Sequence, residues 1–178
     1  MAEGFVVERV EEVGAGTLRE LAEITMDAVE GGASIGFMWP LPLARAQRFW
    51  QGCAESVKRG ERVLLVAREA ATGVVCGTVQ LIVAMPDNQP HRADVAKMQV
   101  HRRARRRGLG AALMRAVEQE AVRAGKTLLV LDTVSGSDAE RLYVSLGWEK
   151  AGEIPEYALG PRGGLLPTTV LYRRLSRS

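Results

Sequence analysis

Between Gln99 and Met114 the chain reads QVHRRARRRGLGAALM, in which Arg105, Gly108 and Gly110 form an Arg-x-x-Gly-x-Gly pattern. A strand-forming run precedes it and a helix-forming run follows. Glycine lets the backbone approach a ligand closely, and the free N–H groups at a helix start point outward with the positive end of the dipole. A pyrophosphate fits such a place, and flanking arginines add charge-assisted hydrogen bonds to phosphate oxygens. A dinucleotide loop is excluded, because the third small residue of Gly-x-Gly-x-x-Gly falls on Leu113. A P-loop is excluded as well, since no Gly-Lys-Ser or Gly-Lys-Thr follows.

Other reactive side chains lack partners at motif spacing. His91 and His101 stand without a nucleophile or an acid beside them, and Ser135 and Ser137 without a triad. Cys53 and Cys76 have neither CxxC spacing nor a histidine cluster, so no metal site is expected and reduced, buried thiols in a cytoplasm are the simplest reading. The net charge is +3, yet Arg102, Arg103, Arg105, Arg106 and Arg107 fall within six consecutive residues. That concentration suits local phosphate binding better than a nucleic-acid surface, which needs several basic elements on one face.

The elements that must position this loop follow from periodicity. Phe5, Val7 and Val10 open a strand, and a helix begins at Thr17 with Leu18, Leu21, Ala22, Met26 and Val29 as its apolar stripe. The stretch from Gly31 to Trp39 is rich in glycine but also carries Ile35, Phe37, Met38 and Trp39, so it is expected to cover something. A second helix runs from Pro42 to about Lys58. Strands are expected over Val63 to Arg68 and Val74 to Val83, joined through Gly73 as an antiparallel hairpin, and over Ala93 to Val100. A third helix extends from Gly108 to Gly125. The buried strand Leu128 to Leu131 follows, then a short helix capped by Ser137 and Glu140 and ended by Gly147. Trp148 to Tyr157 and Thr168 to Leu175 supply the last strands. The order β, α, α, β, β, β, α, β, α, β, β predicts one mixed α/β domain over residues 1–178, with helices on the faces of its sheet.

With these residues in place, the chain resembles the GNAT family of N-acetyltransferases. The resemblance implies a mostly antiparallel seven-stranded sheet and acetyl-CoA as cosubstrate. It assigns the pantetheine to the backbone of Met98, Gln99 and Val100, and the pyrophosphate to Arg105, Arg106, Arg107, Gly108, Leu109, Gly110 and Ala111. AERLYVSLGW, Ala139 to Trp148, is similar to the second signature of the family and puts Tyr143 near the thioester sulfur. GGASIGFM (31–38), NQPHRADVAKMQV (88–100), LDTVSGSDAE (131–140) and the tail from Glu153 to Leu175 resemble, more narrowly, members that acetylate an amine on a β-lactam toxin. That likeness implies a pair of catalytic acids at Asp94 and Asp132, the first one methylene shorter than the matching glutamate. It also implies a substrate loop that includes Ser34, Gly36 and Phe37.

Acyl transfer to an amine needs a group that handles the ammonium proton, donors for the oxyanion and an acid for the leaving thiolate. A phenol, with an ordinary pKa of about 10, is still protonated at neutral pH and suits the last task at Tyr143. Carboxylates are weak bases toward an alkylammonium, so Asp94 and Asp132 are read first as its binding partners. Blander roles stand beside these: Tyr143 in the core, Asp132 capping a turn, Asp94 paired with Arg92 or Lys97. The expected activity is acetylation of a small-molecule primary amine. Acetylation of protein or peptide amines and non-catalytic acyl-CoA sensing are the alternatives.

The first ten residues carry acidic charge instead of a secretory signal, and the longest apolar stretch, Val74 to Met85, is interrupted by Gln80 and too short for the ~20 residues of a membrane span. Cytoplasmic location is therefore expected, with no membrane or nucleic-acid partner. A homodimer is compatible with the sequence.

Overall fold

The computed structural model describes residues 4–176; the outermost parts of the expected domain, residues 1–3 and 177–178, lie outside the described residues. Seven strands form a single sheet in the order β1-β2-β3-β4-β5-β7-β6. They span Phe5–Val10 (β1), Arg62–Glu69 (β2), Val75–Ile82 (β3), Arg92–Val100 (β4), Leu128–Val134 (β5), Glu149–Leu159 (β6) and Leu165–Arg174 (β7). Every neighbouring pair is antiparallel except β4 and β5. Four α-helices accompany the sheet: α1 (Ala15–Glu30), α2 (Leu43–Lys58), α3 (Leu109–Arg123) and α4 (Asp138–Ser145). None is long and apolar enough to cross a membrane among the described residues.

Alternation along the strands sends side chains to two cores. Leu64, Val66 and Val75 pack with Leu21, Ile24 and Trp50 beneath α1 and α2, whereas Leu65, Ala67 and Leu81 pack with Leu109, Leu113 and Val117 of α3 and Tyr143 of α4. Helices thus cover both faces, as the pattern of elements predicts. A buried polar link ties α1, α2 and β4 together: Trp50 Nε1 donates to Thr25 Oγ1 (2.9 Å), and Thr25 Oγ1 donates to Gln99 Oε1 (3.0 Å).

The last strands depart from the expected pattern in two places. The hairpin of β6 and β7 is longer than expected, with Pro155 and Pro167 inside its strands. Proline is tolerated there because β6 is a sheet edge and its pairing is interrupted between Ile154 and Ala158. Strand β5 runs past Leu131 to Val134, so Asp132 lies within it and not at its end.

The parallel pair is brief. Only Arg92↔Leu128, Ala93↔Leu129 and Asp94↔Val130 face one another, although β4 continues to Val100 and β5 to Val134. Strand β4 also contains a bulge. Gln80 of β3 faces Ala96 and Thr78 faces Gln99, so Lys97 and Met98 together oppose Val79, and Lys97 adopts a φ of 52°. The bulge reverses the alternation of β4: Met98 joins the face of Ala93 and Val95, and Gln99 turns toward Thr25.

Close packing of α3 on this region depends on Gly77 of β3. A Cβ there would lie 3.0 Å from Leu113 Cδ1 and 3.1 Å from the backbone oxygen of Gln99. Gly77→Val is expected to destabilise the fold by about 1–3 kcal/mol through overpacking. Urea unfolding checks this, the midpoint falling at an unchanged slope.

Candidate active site

The loop after β4 turns sharply into α3 and leaves a run of backbone amides open. Arg102–Ala104 forms a single 3-10 turn, Arg106 has φ 60°, and Gly108 caps α3 in the left-handed region at φ 75°. Among the described residues the N–H groups of 106–111 find no backbone acceptor, the pattern of a helix start preceded by a concave run of amides. Nothing lies within 4 Å of a Cβ built on Gly108, whereas one on Gly110 would meet Leu142 Cδ2 at 2.9 Å. The two glycines therefore differ in task. Gly108 permits the turn, and Gly110 lets α3 pack against α4.

Most of the arginines are engaged within the protein. The Arg102 guanidinium bonds the carboxylates of Asp27 and Glu30, and its N–H donates to Asp27 Oδ2 (2.9 Å). Arg103 Nη2 donates to the Val75 carbonyl (3.1 Å), and Arg107 stacks over the Phe5 ring at 4.3 Å. Arg105 Nε donates to the Val100 carbonyl (3.1 Å), with Asp27 Oδ2 4.0 Å from its Nη2. Arg102 and Arg105 are thus held by α1, Arg103 by β3 and Arg107 by β1, which leaves the backbone amides of the loop as its open donors. His101 also belongs to this support, its Nδ1 accepting from Arg103 N–H (3.2 Å). Burial pushes its pKa down, against the pull of Asp27.

Where β4 and β5 part, a cavity of about 510 Å³ opens, lined among others by Lys97, Met98, Asp132, Tyr143, Tyr157 and Thr168. Met98 connects it to the anion loop, since a Cβ on Gly110 would stand 3.9 Å from the Met98 thioether. Tyr143 is buried in the wall; burial first, and the Asp132 carboxylate second, push its phenol above the ordinary value. Asp132 is exposed to the cavity and accepts from Thr168 Oγ1 (3.1 Å). The capping expected for α4 is present, with Ser137 Oγ accepting from Glu140 N–H (3.2 Å).

Of the residues singled out from the sequence, the structure brings Asp132, Tyr143, Met98, Ser34 and Gly36 to this one cavity. Asp94 does not line it; its carboxylate is bound by the Arg92 guanidinium on the same strand. Phe37 lies behind the wall, edge-on to Phe49 at 5.2 Å. Ser34 spends its hydroxyl on the Leu159 carbonyl (3.2 Å). The segment 31–39 is strapped down, not free: Trp39 N–H donates to the Pro161 carbonyl (2.9 Å), and Arg162 covers the Trp39 ring at 4.8 Å. Sequence reasoning missed Lys97, Tyr157 and Thr168. The signal for Lys97 was its parity: it alternates with Ala93 and Val95, positions that face the core. Among the described residues no cluster of three or more His, Cys, Asp or Glu could hold a metal ion.

A helix start with open amides beside a cavity between parted strands suits an enzyme that works on a phosphate-bearing donor. The model of the acetyltransferase (GNAT) family matches residues 18–148, and the chain belongs to that family. An uncharacterized N-acetyltransferase from the hisH–hisA intergenic region of Azospirillum brasilense is 37% identical over 130 residues, covering 71% of this chain and 73% of its own. Among solved structures, yncA of Salmonella typhimurium with its cofactor acetyl-CoA superposes with a TM-score of 0.75 at 21% identity, covering 99% of this chain and 96% of that one. The ribosomal-protein-alanine N-acetyltransferase of Brucella melitensis gives 0.76 at 22% identity, covering 96% and 99%. Acetyl-CoA-dependent N-acetylation is the chemistry of this class.

If the amides of residues 106–111 hold the pyrophosphate, a carboxylate placed among them repels it. Gly108→Asp is expected to weaken acetyl-CoA binding about tenfold or more with the fold intact, because aspartate tolerates a left-handed φ better than most residues. Calorimetry beside circular dichroism checks it, and unchanged affinity removes the loop assignment.

Proposed function

We propose that the protein transfers the acetyl group of acetyl-CoA to the primary amine of a small molecule. The observation that carries this reading is the meeting of Tyr143 and Asp132 in one cavity roofed by residues 32–36 and linked through Met98 to the anion loop. Bound acetyl-CoA supplies a thioester carbonyl for attack and a thiolate as leaving group. The loop from Arg105 to Ala111 holds its phosphates, and the free edge of β4 from Met98 to Val100 runs beside its pantetheine. Asp132 draws the substrate ammonium in and passes its proton toward solvent. Tyr143, kept protonated by burial, gives its phenolic proton to the departing sulfur. Asp94 contributes negative potential from outside the wall, its charge offset by Arg92.

The acceptor class we favour is an amino-acid-like amine, the substrate of the tabtoxin resistance protein among them, which would make the activity one of toxin resistance. Support comes from the likeness of residues 31–38 and 88–100 to that protein and from the strapped roof, which leaves less room for a peptide than an open groove would. A cytoplasmic enzyme fits the free, buried thiols of Cys53 and Cys76. A homodimer fits the hairpin of β6 and β7, where Ile154, Tyr157, Leu159 and Leu165 are each 46–56% exposed.

Thiol release across a panel of amino acids, an aminoglycoside and a short peptide tests the reading. Preference for either of the latter two by tenfold, about 1.4 kcal/mol in transition-state binding, removes the small-substrate assignment. Tyr143→Phe deletes one hydroxyl and little volume. It is expected to lower kcat by about 10- to 100-fold with a much smaller change in acetyl-CoA affinity; unchanged turnover returns Tyr143 to a purely structural role.

A further inference from the structure

Lys97 is the least expected residue of the cavity wall. It sits on the β4 bulge at φ 52°, a conformation uncommon for a side chain of its kind. Its stem crosses a strongly apolar site, with Nζ 5.9 Å from the Phe37 ring centre and 5.5 Å from that of Phe49. Burial pushes its pKa down, and the Asp132 carboxylate opposes that shift. Nζ donates one hydrogen bond, to the Ile35 carbonyl at 2.7 Å. No carboxylate oxygen comes within 4.0 Å of it among the described residues, so it carries a desolvated charge without an ionic partner.

Holding the Ile35 loop does not account for a lysine here, because a neutral donor does that without burying a charge. An ammonium has three hydrogens, and two remain after Ile35. Across the gap, on β5, stands Asp132, whose carboxylate faces the same cavity. The two parted strands therefore carry opposite charges into one volume, an arrangement complementary to a molecule with both an ammonium and a carboxylate.

We infer that Lys97 is a specificity-determining residue that receives the carboxylate of an amino-acid acceptor while Asp132 receives its ammonium. This rests on the N-acetyltransferase reading above and sharpens it. The carboxylate ligand is the half-buried lysine on β4, which lines the cavity, and not an arginine of the anion loop: none of those lines it, and Arg102, Arg103 and Arg107 are engaged with Asp27, Glu30, Val75 and Phe5. The Ile35 bond makes the same ammonium a support for the roof, so closure and recognition share one group.

The test compares kcat/KM, by thiol release at saturating acetyl-CoA, for L-alanine, L-methionine and L-lysine, each against its own primary amide. The amine of an amide is less basic and more of it is free at neutral pH, so unaided reactivity favours the amides. The protein is expected to prefer the carboxylates by about tenfold or more, the scale of a charge-assisted hydrogen bond. In Lys97→Gln that ratio is expected to fall toward one, with KM for the amino acid rising more than kcat falls, and Lys97→Arg is expected to restore part of it. Lys97→Met, which preserves the stem packed on Phe37 and Phe49, repeats the comparison if the glutamine variant fails to fold. Equal use of amides by the native protein, or a preference that survives in both Lys97→Gln and Lys97→Met, overturns the assignment while leaving the acetyltransferase standing. A fall in kcat common to acids and amides assigns Lys97 to proton transfer and overturns it too. Absence of thiol release with every amine removes both readings.

Discussion

The separation of β4 from β5 is the constraint on which the site depends. A sheet interior normally pairs every backbone group, and an unpaired buried N–H or C=O is expensive. Here each strand is held firmly on its outer edge, β4 by β3 and β5 by β7 along its whole length from Leu128 to Val134. The inner edges can therefore open after three rungs without loss of the sheet. What remains is a slot with backbone donors and acceptors on both sides, matched to an extended ligand that itself carries amides. The bulge at Lys97 and Met98 adds twist to β4 just where the partner is lost. The close fit of Gly110 against Leu142, beside Met98, fills the slot from the side of α3 and α4.

Polar contacts then fix the helices to this opening. Thr25, Trp50 and Gln99 join both helices of one face to β4 below the bulge. Asp27, further along α1, binds Arg102 through backbone and side chain and so sets the path of the chain into the anion loop. A carboxylate as well buried as Asp27 is stable only because it is paired, and its partners are the arginines that the sequence suggests for phosphate. Charge is used here to shape a backbone surface.

Much of this was legible in the sequence, and for identifiable reasons. The order of elements followed from periodicity, because each long helix presents one regular apolar stripe and the strand at Leu128 to Leu131 is apolar at every position. The anion loop followed from Arg105, Gly108 and Gly110 lying between a strand and a helix, and α4 from Ser137 and Glu140. The bulge was not legible. A single inserted residue changes the parity of everything after it, and only the charge of Lys97 at a position in step with core-facing Ala93 and Val95 betrays it. The early start of β7 was hidden by Pro167, which argues against a strand unless the interruption of its pairing with β6 is known. The separate roles of Gly108 and Gly110 depend on Leu142, a residue more than thirty positions away, and no local pattern reveals such a contact.

The strap over the cavity divides the molecule in a way that bears on how its repertoire can change. Segment 31–39 is fastened to Leu159, Pro161 and Lys97, and none of those anchors belongs to the loop from Arg105 to Ala111. The roof and the donor cradle are thus separate parts mounted on a common sheet. Substitutions in the roof or in the turn at Pro161 reshape the cavity without touching the backbone amides of residues 106–111. A lineage built on this plan can exchange one amine for another by small drifts at its rim, while the half that handles the acyl donor is inherited unaltered.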